Sequence, residues 1–309
     1  MARRPRPSAT APDSRPASEP AAARASKKAR PAAPAAAAAA DPLAPYRHDG
    51  TRPFDLARID PRAKRFSSGD KHADKARVAE LAERIDALQD LHYADRRWKL
   101  LVVLQGTDTS GKDGTIRGVF GRTSALGVHT SAWKAPTDEE RAHDFLWRLH
   151  ARTPGSGEIA IWNRSHYEDV LVPVVRGWID AGETEKRFGH IRDFERLLAD
   201  SGTVVLKFLL HISKDEQRER LQARLDEPDK TWKFNVGDLE DRKRWDDFQR
   251  AYGAAVAATA TPWAPWIVVP ADSKTHRNLV VGTAVVQALE SLKLRYPPPP
   301  PELAGLRVA

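Results

Sequence analysis

The sequence predicts an α/β protein in which a parallel sheet is covered by helices on both faces. Two observations carry this. Four short runs rich in Val, Ile and Leu, at Leu100 to Leu104, Ile159 to Trp162, Val204 to Ile212 and Trp266 to Val269, alternate with helical patterns. Runs that are apolar on both faces belong in the interior of a parallel sheet. The first run also leads straight into GTDTSGK and then into a helix-forming segment, the order of strand, anion-binding loop and helix N-terminus found in phosphate sites. Ligands of such sheets sit at the carboxyl ends of the strands, so the chemistry is expected along that edge.

In chain order, residues 1–40 are Ala, Pro, Arg and Ser with no large apolar residue after Met1. Such a segment cannot bury enough surface to offset the entropy of ordering, and a disordered tail is expected. It lacks the apolar stretch of a secretory signal; besides a solvated extension, an organellar transit peptide or loose polyanion binding stays open. Residues 41–98 read as an N-terminal arm and a helix packed on the core. The arm, Asp41 to Asp70, has prolines at 42, 45, 53 and 61 and no periodicity. The helix, Lys71 to Arg96, places Val78, Leu81, Ile85, Leu88 and Leu91 on one face.

Residues 99–296 form the predicted core. Its helical patterns span Asp138 to Arg152, Glu185 to Leu198 (with Phe188, Ile191, Phe194 and Leu197), Lys214 to Leu225 and Leu239 to Ala258, the last entered through a turn at Asn235 to Asp238. Residues 297–309 open with five prolines, Pro297 to Pro301, which should adopt polyproline II and end the fold.

Composition narrows the function. The net charge is +8, yet residues 1–40 alone carry +6, which leaves +2 for the other 269 residues. Any affinity of the body for a polyanion must therefore come from local clusters, and nucleic acid is not its expected partner. No run approaches the roughly 18 unbroken apolar residues of a membrane span. The chain has no cysteine, which excludes disulfides, cysteine–zinc sites and thiolate catalysis and suits a reducing cytoplasm. His143, His166 and His190 lack the spacing of metal ligands, and Trp133, Trp147, Trp162, Trp178 and Trp232 are expected in the core.

The loop is read as a phosphate cradle. Gly106 and Gly111 let the backbone turn its amides toward an anion, Thr109, Ser110 and Gly114 complete the turn, and Lys112 adds a positive charge at the helix start. Position 113 is Asp rather than the Ser or Thr that usually holds Mg²⁺, so Asp108 and Asp113 bracket the lysine. The second strand ends in Asn163, where many phosphate enzymes carry Asp, and continues into Arg164, Glu168 and Asp169. That exchange makes the strand end more positive and suits a substrate with more negative charge than one nucleotide; a plain Arg164 salt bridge to Glu168 or Asp169 is the alternative.

After the third strand, Ser213 and Glu216 fit a capping box. Arg220 and Arg224 project from one helix face, and Lys230 and Lys233 follow. The segment at about 213–237 reads as a lid over transferring phosphates; a solvated helix with Glu216 supporting Arg220 is the alternative. Lys134 should return to the same edge, as a phosphate contact or as an exposed lysine.

Five blocks, GTDTSGKDGTIR, KAPTDEERAHDFLWRLH, WNRSHYEDVLV, DKTWKFNVGDLEDRKRWDDFQRAY and TPWAPWIVVPADSK, resemble in order and spacing the polyphosphate kinase 2 family, over roughly Tyr46 to Tyr296. The resemblance implies a P-loop kinase-like three-layer sandwich with a helical lid. It implies phosphoryl transfer between inorganic polyphosphate and a nucleoside mono- or diphosphate, with Mg²⁺. Carried over by position, Lys112 and the loop amides would hold the transferring phosphate, Asp108 would position Mg²⁺ and the acceptor oxygen, and Arg164, Arg220 and Arg224 would neutralise developing charge. The pairing of Asn163 with Glu168 is similar to the branch that accepts both AMP and ADP, which makes these two the expected nucleotide-side residues. An extended anionic chain calls for an extended track, and a homo-oligomer is the expected means of building one. Two other readings remain: an ATP-dependent P-loop kinase of a nucleotide or small metabolite, and a non-catalytic polyanion binder that uses the basic tail.

Overall fold

The computed structural model describes residues 41–308, so the expectation for residues 1–40 lies outside the described residues. In order, the elements are β1 (Arg47–His48), α1 (Lys71–Asp95), β2 (Lys99–Gln105), α2 (Lys112–Phe120), β3 (Val128–Ala132), α3 (Asp138–Arg141), α4 (Trp147–His150), β4 (Ile159–Asn163), α5 (Glu168–Arg176), α6 (Ala181–Asp200), β5 (Thr203–His211), α7 (Lys214–Asp226), α8 (Gly237–Lys243), α9 (Trp245–Thr259), β6 (Trp266–Pro270) and α10 (Lys274–Ser291). The sheet order is β1-β6-β5-β2-β4-β3. All pairings are parallel except β1 against β6.

The alternation of β2 divides the core in two. Leu100, Val102 and Leu104 pack with α1, α2 and α10, including Ile85, Val119, Leu279 and Val285. Leu101 and Val103 face the other way, onto Val170, Phe188, Ile191, Phe248 and Val256 of α5, α6 and α9. Each Val or Leu fully buried in this way contributes on the order of 1.5–3 kcal/mol. With both faces covered, the loops at the carboxyl ends of β2, β4, β5 and β6 share one edge.

Four expected strands match β2, β4, β5 and β6. β1 and β3 were not expected, because two residues give no pattern and VHTSA at an edge needs no apolar alternation. α10 was also missed, since its LVVGTAVV segment is β-branched and nearly all buried, leaving no amphipathic stripe. The predicted Asp138 to Arg152 helix is two short turns, the second started where Asp144 Oδ1 accepts from Leu146 N at 2.9 Å. The Leu239 to Ala258 helix breaks at Arg244. At α7, Ser213 accepts from Glu216 N at 3.1 Å, but Glu216 does not return the bond, because its carboxylate is taken by Arg220.

Trp162 is buried as expected, whereas Trp147, Trp178 and Trp232 are exposed. Trp232 is held outside by its own indole N–H to Asp229 O and by Lys233 over its ring; Trp147 stacks on His143. Leu197 is exposed and Leu198 takes its place inside. At the C-terminal end Pro300 has φ −55° and ψ +140°, and Pro301–Leu303 turn into a short 3₁₀ helix. No described helix is long and apolar enough to cross a membrane.

Candidate phosphate site

β2 ends at Gln105, and residues 106–111 carry the chain into α2. Gly106 and Gly111 have φ of +149° and +101°, which a β-carbon disfavours. At Gly106 such an atom would also stand 2.7 Å from Leu210 O and Ser110 Oγ. Thr109 adopts φ +64°, a left-handed conformation costly for a β-branched residue and of the kind that collects at ligand sites.

Lys112 folds back across the loop, and its Nζ donates to Gly106 O at 2.7 Å and Thr107 O at 3.2 Å. Desolvation and the Arg164 charge push this ammonium down to about 8, against the opposing pull of Asp108, Glu168 and Asp113. The hydroxyls of Thr107, Thr109 and Ser110 are buried without a hydrogen-bond partner among the described residues. A helix N-terminus, a buried lysine and the unpartnered Thr109 hydroxyl at the cavity wall fit an anion with several oxygens.

The parallel register sets Leu104 beside Asn163, which brings the end of β4 to this loop. Asn163 Nδ2 donates to Asp113 Oδ1 at 2.6 Å. Arg164, at φ +66°, donates from Nη2 to Asp108 Oδ1 at 2.6 Å, with Nη1 3.7 Å from Glu168 Oε2. The short bond thus goes to Asp108, Glu168 keeps a looser contact, and Asp169 pairs with Arg148 at 3.5 Å instead. Glu168 chiefly, with Asp108, raises the Arg164 pKa against desolvation. Desolvation raises Glu168, while Arg164 and Lys112 pull it back. In the amide orientation that satisfies both its ends, Gln105 donates to Glu168 Oε1 at 3.0 Å.

The lid arginines behave differently from expectation. All five N–H donors of Arg220 are engaged: Nε to Glu216 at 2.7 Å, Nη1 to Thr109 O and Ser110 O at 2.9 and 3.1 Å, and Nη2 to Ala271 O and Asp272 O at 2.8 and 2.9 Å. Engaged in this way, it braces the loop against the end of β6 while still lining the cavity, a bracing role that had no sign in the sequence. Arg224 donates to Lys233 O and to Asp238 Oδ2, both at 3.2 Å. Desolvation pushes Asp238 up to about 6.

Two cavities meet at Asp108 and Arg164. The larger, ≈ 580 Å³, is lined by Thr109, Gly111, Lys112, Asp113, Gly114, Lys134, Asn163, Arg220, Arg224, Lys230, Lys233 and Lys274 among others. The smaller, ≈ 40 Å³, is lined by Gly106, Thr107, Glu168, Val172, Gln217, Asp241, Trp245, Phe248 and Tyr252. One is cationic; the other is small and mixed, with Val172, Trp245, Phe248 and Tyr252 beside the charged Asp108, Arg164, Glu168 and Asp241. Asn163 and Glu168, expected together on the nucleotide side, fall on different cavities. Ser110 is fully buried beneath the loop and lines neither.

Sequence reasoning missed the aromatic wall of Trp245, Phe248 and Tyr252, and two cations of α10. Lys274 lines the basic cavity, and its place just after β6 at the ligand edge was the available signal. Arg277 is buried against Gly111 and Gly114, and among the described residues it donates only to Asn278 Oδ1 and has no carboxylate partner; desolvation lowers it to about 9. With α10 unrecognised, nothing in the sequence linked it to the loop.

Comparison with known proteins matches this geometry to a lineage. Residues 68–297 match the model of the polyphosphate kinase 2 family. An AMP/ADP-polyphosphate phosphotransferase from Meiothermus ruber is 50% identical over 254 residues, 82% of this chain and 95% of its own. An ADP-polyphosphate phosphotransferase from Rhodopseudomonas palustris is 41% identical over 227 residues, 70% of this chain and 78% of its own. The crystal structure of polyphosphate kinase 2 from Arthrobacter aurescens superposes with a TM-score of 0.80 at 42% identity, covering 84% of this chain and 92% of that one. A match that spans the loop, the arginine at the strand end and the lid as one continuous stretch means that the chain belongs to the polyphosphate kinase 2 family.

Proposed function

We propose that this protein transfers phosphoryl groups between inorganic polyphosphate and nucleoside mono- or diphosphates, converting AMP to ADP and ADP to ATP. The observation that carries the reading is the cationic cavity around the loop, lined by Lys112, Lys134, Arg224, Lys230, Lys233 and Lys274, which meets a small aromatic-walled recess at Asp108 and Arg164. The AMP/ADP- and ADP-polyphosphate phosphotransferases to which the chain is similar support the same substrates.

In this reading the loop amides, the Thr109 hydroxyl and Lys112 hold the terminal phosphoryl group of the polymer. An oxygen of the nucleotide phosphate attacks that phosphorus in line; a new P–O bond forms, the bridging P–O bond breaks, and the shortened polymer leaves with the electron pair. The attacking oxygen is already anionic, so no strong base is needed, and positioning with charge stabilisation carries the rate. Arg164 stands between the cavities and faces the charge that develops there. Asp108 holds it in place, and Arg220 positions the loop by fixing the Thr109 and Ser110 carbonyls.

The residues present fit a magnesium ion. No group of three or more His, Asp or Glu among the described residues could hold a metal unaided, but Mg²⁺ usually takes only one or two carboxylates plus substrate phosphates. Asp108 can serve: only its Oδ1 is engaged, by Arg164. Asp113 stands on the other side of Lys112. When bound, the ion neutralises phosphate charge. Assembly into a homo-oligomer and a cytoplasmic setting belong to the same proposal.

The test is a product assay with polyphosphate as sole phosphoryl donor and AMP, ADP, GMP or GDP as acceptor. ATP from ADP and ADP from AMP are expected; transfer only when ATP is the donor to another acceptor would replace this reading with that of an ATP-dependent kinase.

A further inference from the structure

The basic cavity does not end at the lid. Lys274 lines it on one side and on the other lines a second groove of ≈ 1070 Å³, whose walls include Lys64 of the N-terminal arm and Lys71 and Lys75 at the start of α1. All four lysines are exposed, and none makes an ion pair among the described residues. The carboxylates in the same walls are already committed. Asp74 accepts from Ser68 N and Ser68 Oγ, both at 2.8 Å, and from Ser67 Oγ. Glu216 is taken by Arg220. Asp272 accepts from Ser213 N at 2.8 Å and faces Arg62, which also reaches Asp215 at 3.2 Å.

What remains is a surplus of positive charge continuous with the phosphate loop: five cations, Arg62, Lys64, Lys71, Lys75 and Lys274, against three carboxylates, Asp74, Glu216 and Asp272. Like charges so placed repel one another unless an anion lies between them. A single orthophosphate or a nucleotide is satisfied within the first cavity and has no use for the second. A linear polyanion longer than that cavity must leave it somewhere; Lys274 marks a basic exit toward the arm, and Lys134 marks another toward the groove of Arg148 and Arg152.

We propose that the groove of Lys64, Lys71, Lys75 and Lys274 is an outer anion site that holds the distal units of a long polyphosphate whose end is reacting at the loop. The proposal rests on the function argued above and adds a consequence: the N-terminal arm and α1 confer preference for long over short polymers. The contribution is sequence-independent and electrostatic, so it should weaken with salt. Partial desolvation and the cationic neighbours Arg220, Lys230 and Arg277 lower the pKa of Lys274 against the opposing pull of Glu216, as expected for a place with surplus positive charge.

The experiment uses the full chain with Lys64→Gln, Lys71→Gln and Lys75→Gln combined; none of these residues has been placed in the catalytic machinery. KM is measured with ADP for long-chain polyphosphate and for tripolyphosphate, the latter as donor or as competitive inhibitor, at two salt concentrations. The expected result is a KM for the long polymer raised on the order of tenfold with a shallower salt dependence, while kcat, the ADP KM and the tripolyphosphate constant stay within about twofold. An unchanged long-chain KM, or an equal rise for tripolyphosphate, overturns the proposal. Should the triple variant fold poorly by its melting curve, the Lys71→Gln/Lys75→Gln pair gives the same contrast. Wild-type protein that transfers from no polyphosphate of any length would instead refute the function itself.

Discussion

A β-carbon on Gly111 would stand 3.0 Å from Cζ of Arg277 and closer still to its Nη1, so the phosphate loop is seated on a guanidinium that is only 3% exposed. Gly114 repeats the contact one turn later, at 3.1 Å from Nη2. These glycines therefore serve close approach as well as backbone freedom. Gly111→Ala should lower turnover by roughly 10²-fold or more, because φ +101° and the collision both displace the loop. Steady-state rates beside a melting curve check this; near-normal turnover would mean the loop tolerates the shift.

Arg277 itself predicts a split between stability and function. A buried charge with no carboxylate partner is costly, and exchanging such a group for an apolar side chain is often neutral or stabilising by about 1–4 kcal/mol. Arg277→Met should therefore leave Tm unchanged or raised while weakening polyphosphate binding. Calorimetry of the free protein and a KM measurement decide it; a lower Tm with unaltered KM would make the residue merely structural.

For Arg220, saturation of all five donors predicts a joint loss. Arg220→Ala strips partners from four backbone carbonyls, at a cost of about 1–3 kcal/mol for each one left buried and unpaired, less where water enters. Both Tm and kcat should fall, and Arg220→Lys should rescue little because one ammonium cannot span the same carbonyls. A fall in kcat with Tm intact would instead make Arg220 a lid residue acting on phosphate.

How much of this was readable beforehand differs by element. β2, the loop and α2 were legible because strand, glycine turn, lysine and helix follow one another locally, and Asp108, Lys112, Arg164 and Asn163 do converge. The braced state of Arg220 was not, since its partners Ala271 and Asp272 lie some fifty residues away and act through carbonyls that every residue type carries. Lys274 and Arg277 were hidden with α10, whose burial on all sides erases the helical stripe. Glu168 and Asn163 are close in sequence, yet the change from strand to helix sends them to different cavities.

Beneath the strand end lies a charged core that predicts a stability coupling. Lys207 Nζ donates to Glu195 Oε2 at 2.6 Å, to Thr259 O at 2.9 Å and to Tyr167 Oη at 3.0 Å, and all four residues are fully buried. Lys207→Met alone strands the Glu195 carboxylate and should cost about 3–5 kcal/mol, whereas Lys207→Met with Glu195→Leu should recover much of that loss. A double-mutant cycle by denaturant unfolding measures it; simple additivity would deny the coupling.

Lys112 sets the pH behaviour. Its folded-state pKa is lowered from 10.5 to about 8, so between those values the unfolded chain holds more protons, and the free protein gains stability as pH rises from about 8 toward 10. Phosphate binding needs the protonated form, so kcat/KM for polyphosphate should decline as pH rises through about 8. In Lys112→Arg, whose guanidinium stays charged, that limb should disappear even if the overall rate is lower. A limb that persists belongs to another group.

If the loop and Lys112 hold a phosphoryl group drawn from polyphosphate, ATP formation from ADP, Mg²⁺ and long-chain polyphosphate must depend on that lysine, and comparing the wild-type protein with Lys112→Met tests it. ATP should accumulate with the wild type and fall by roughly 10³-fold in the variant, with the melting curve preserved. No ATP from the wild type, or equal rates from both proteins, would contradict the account.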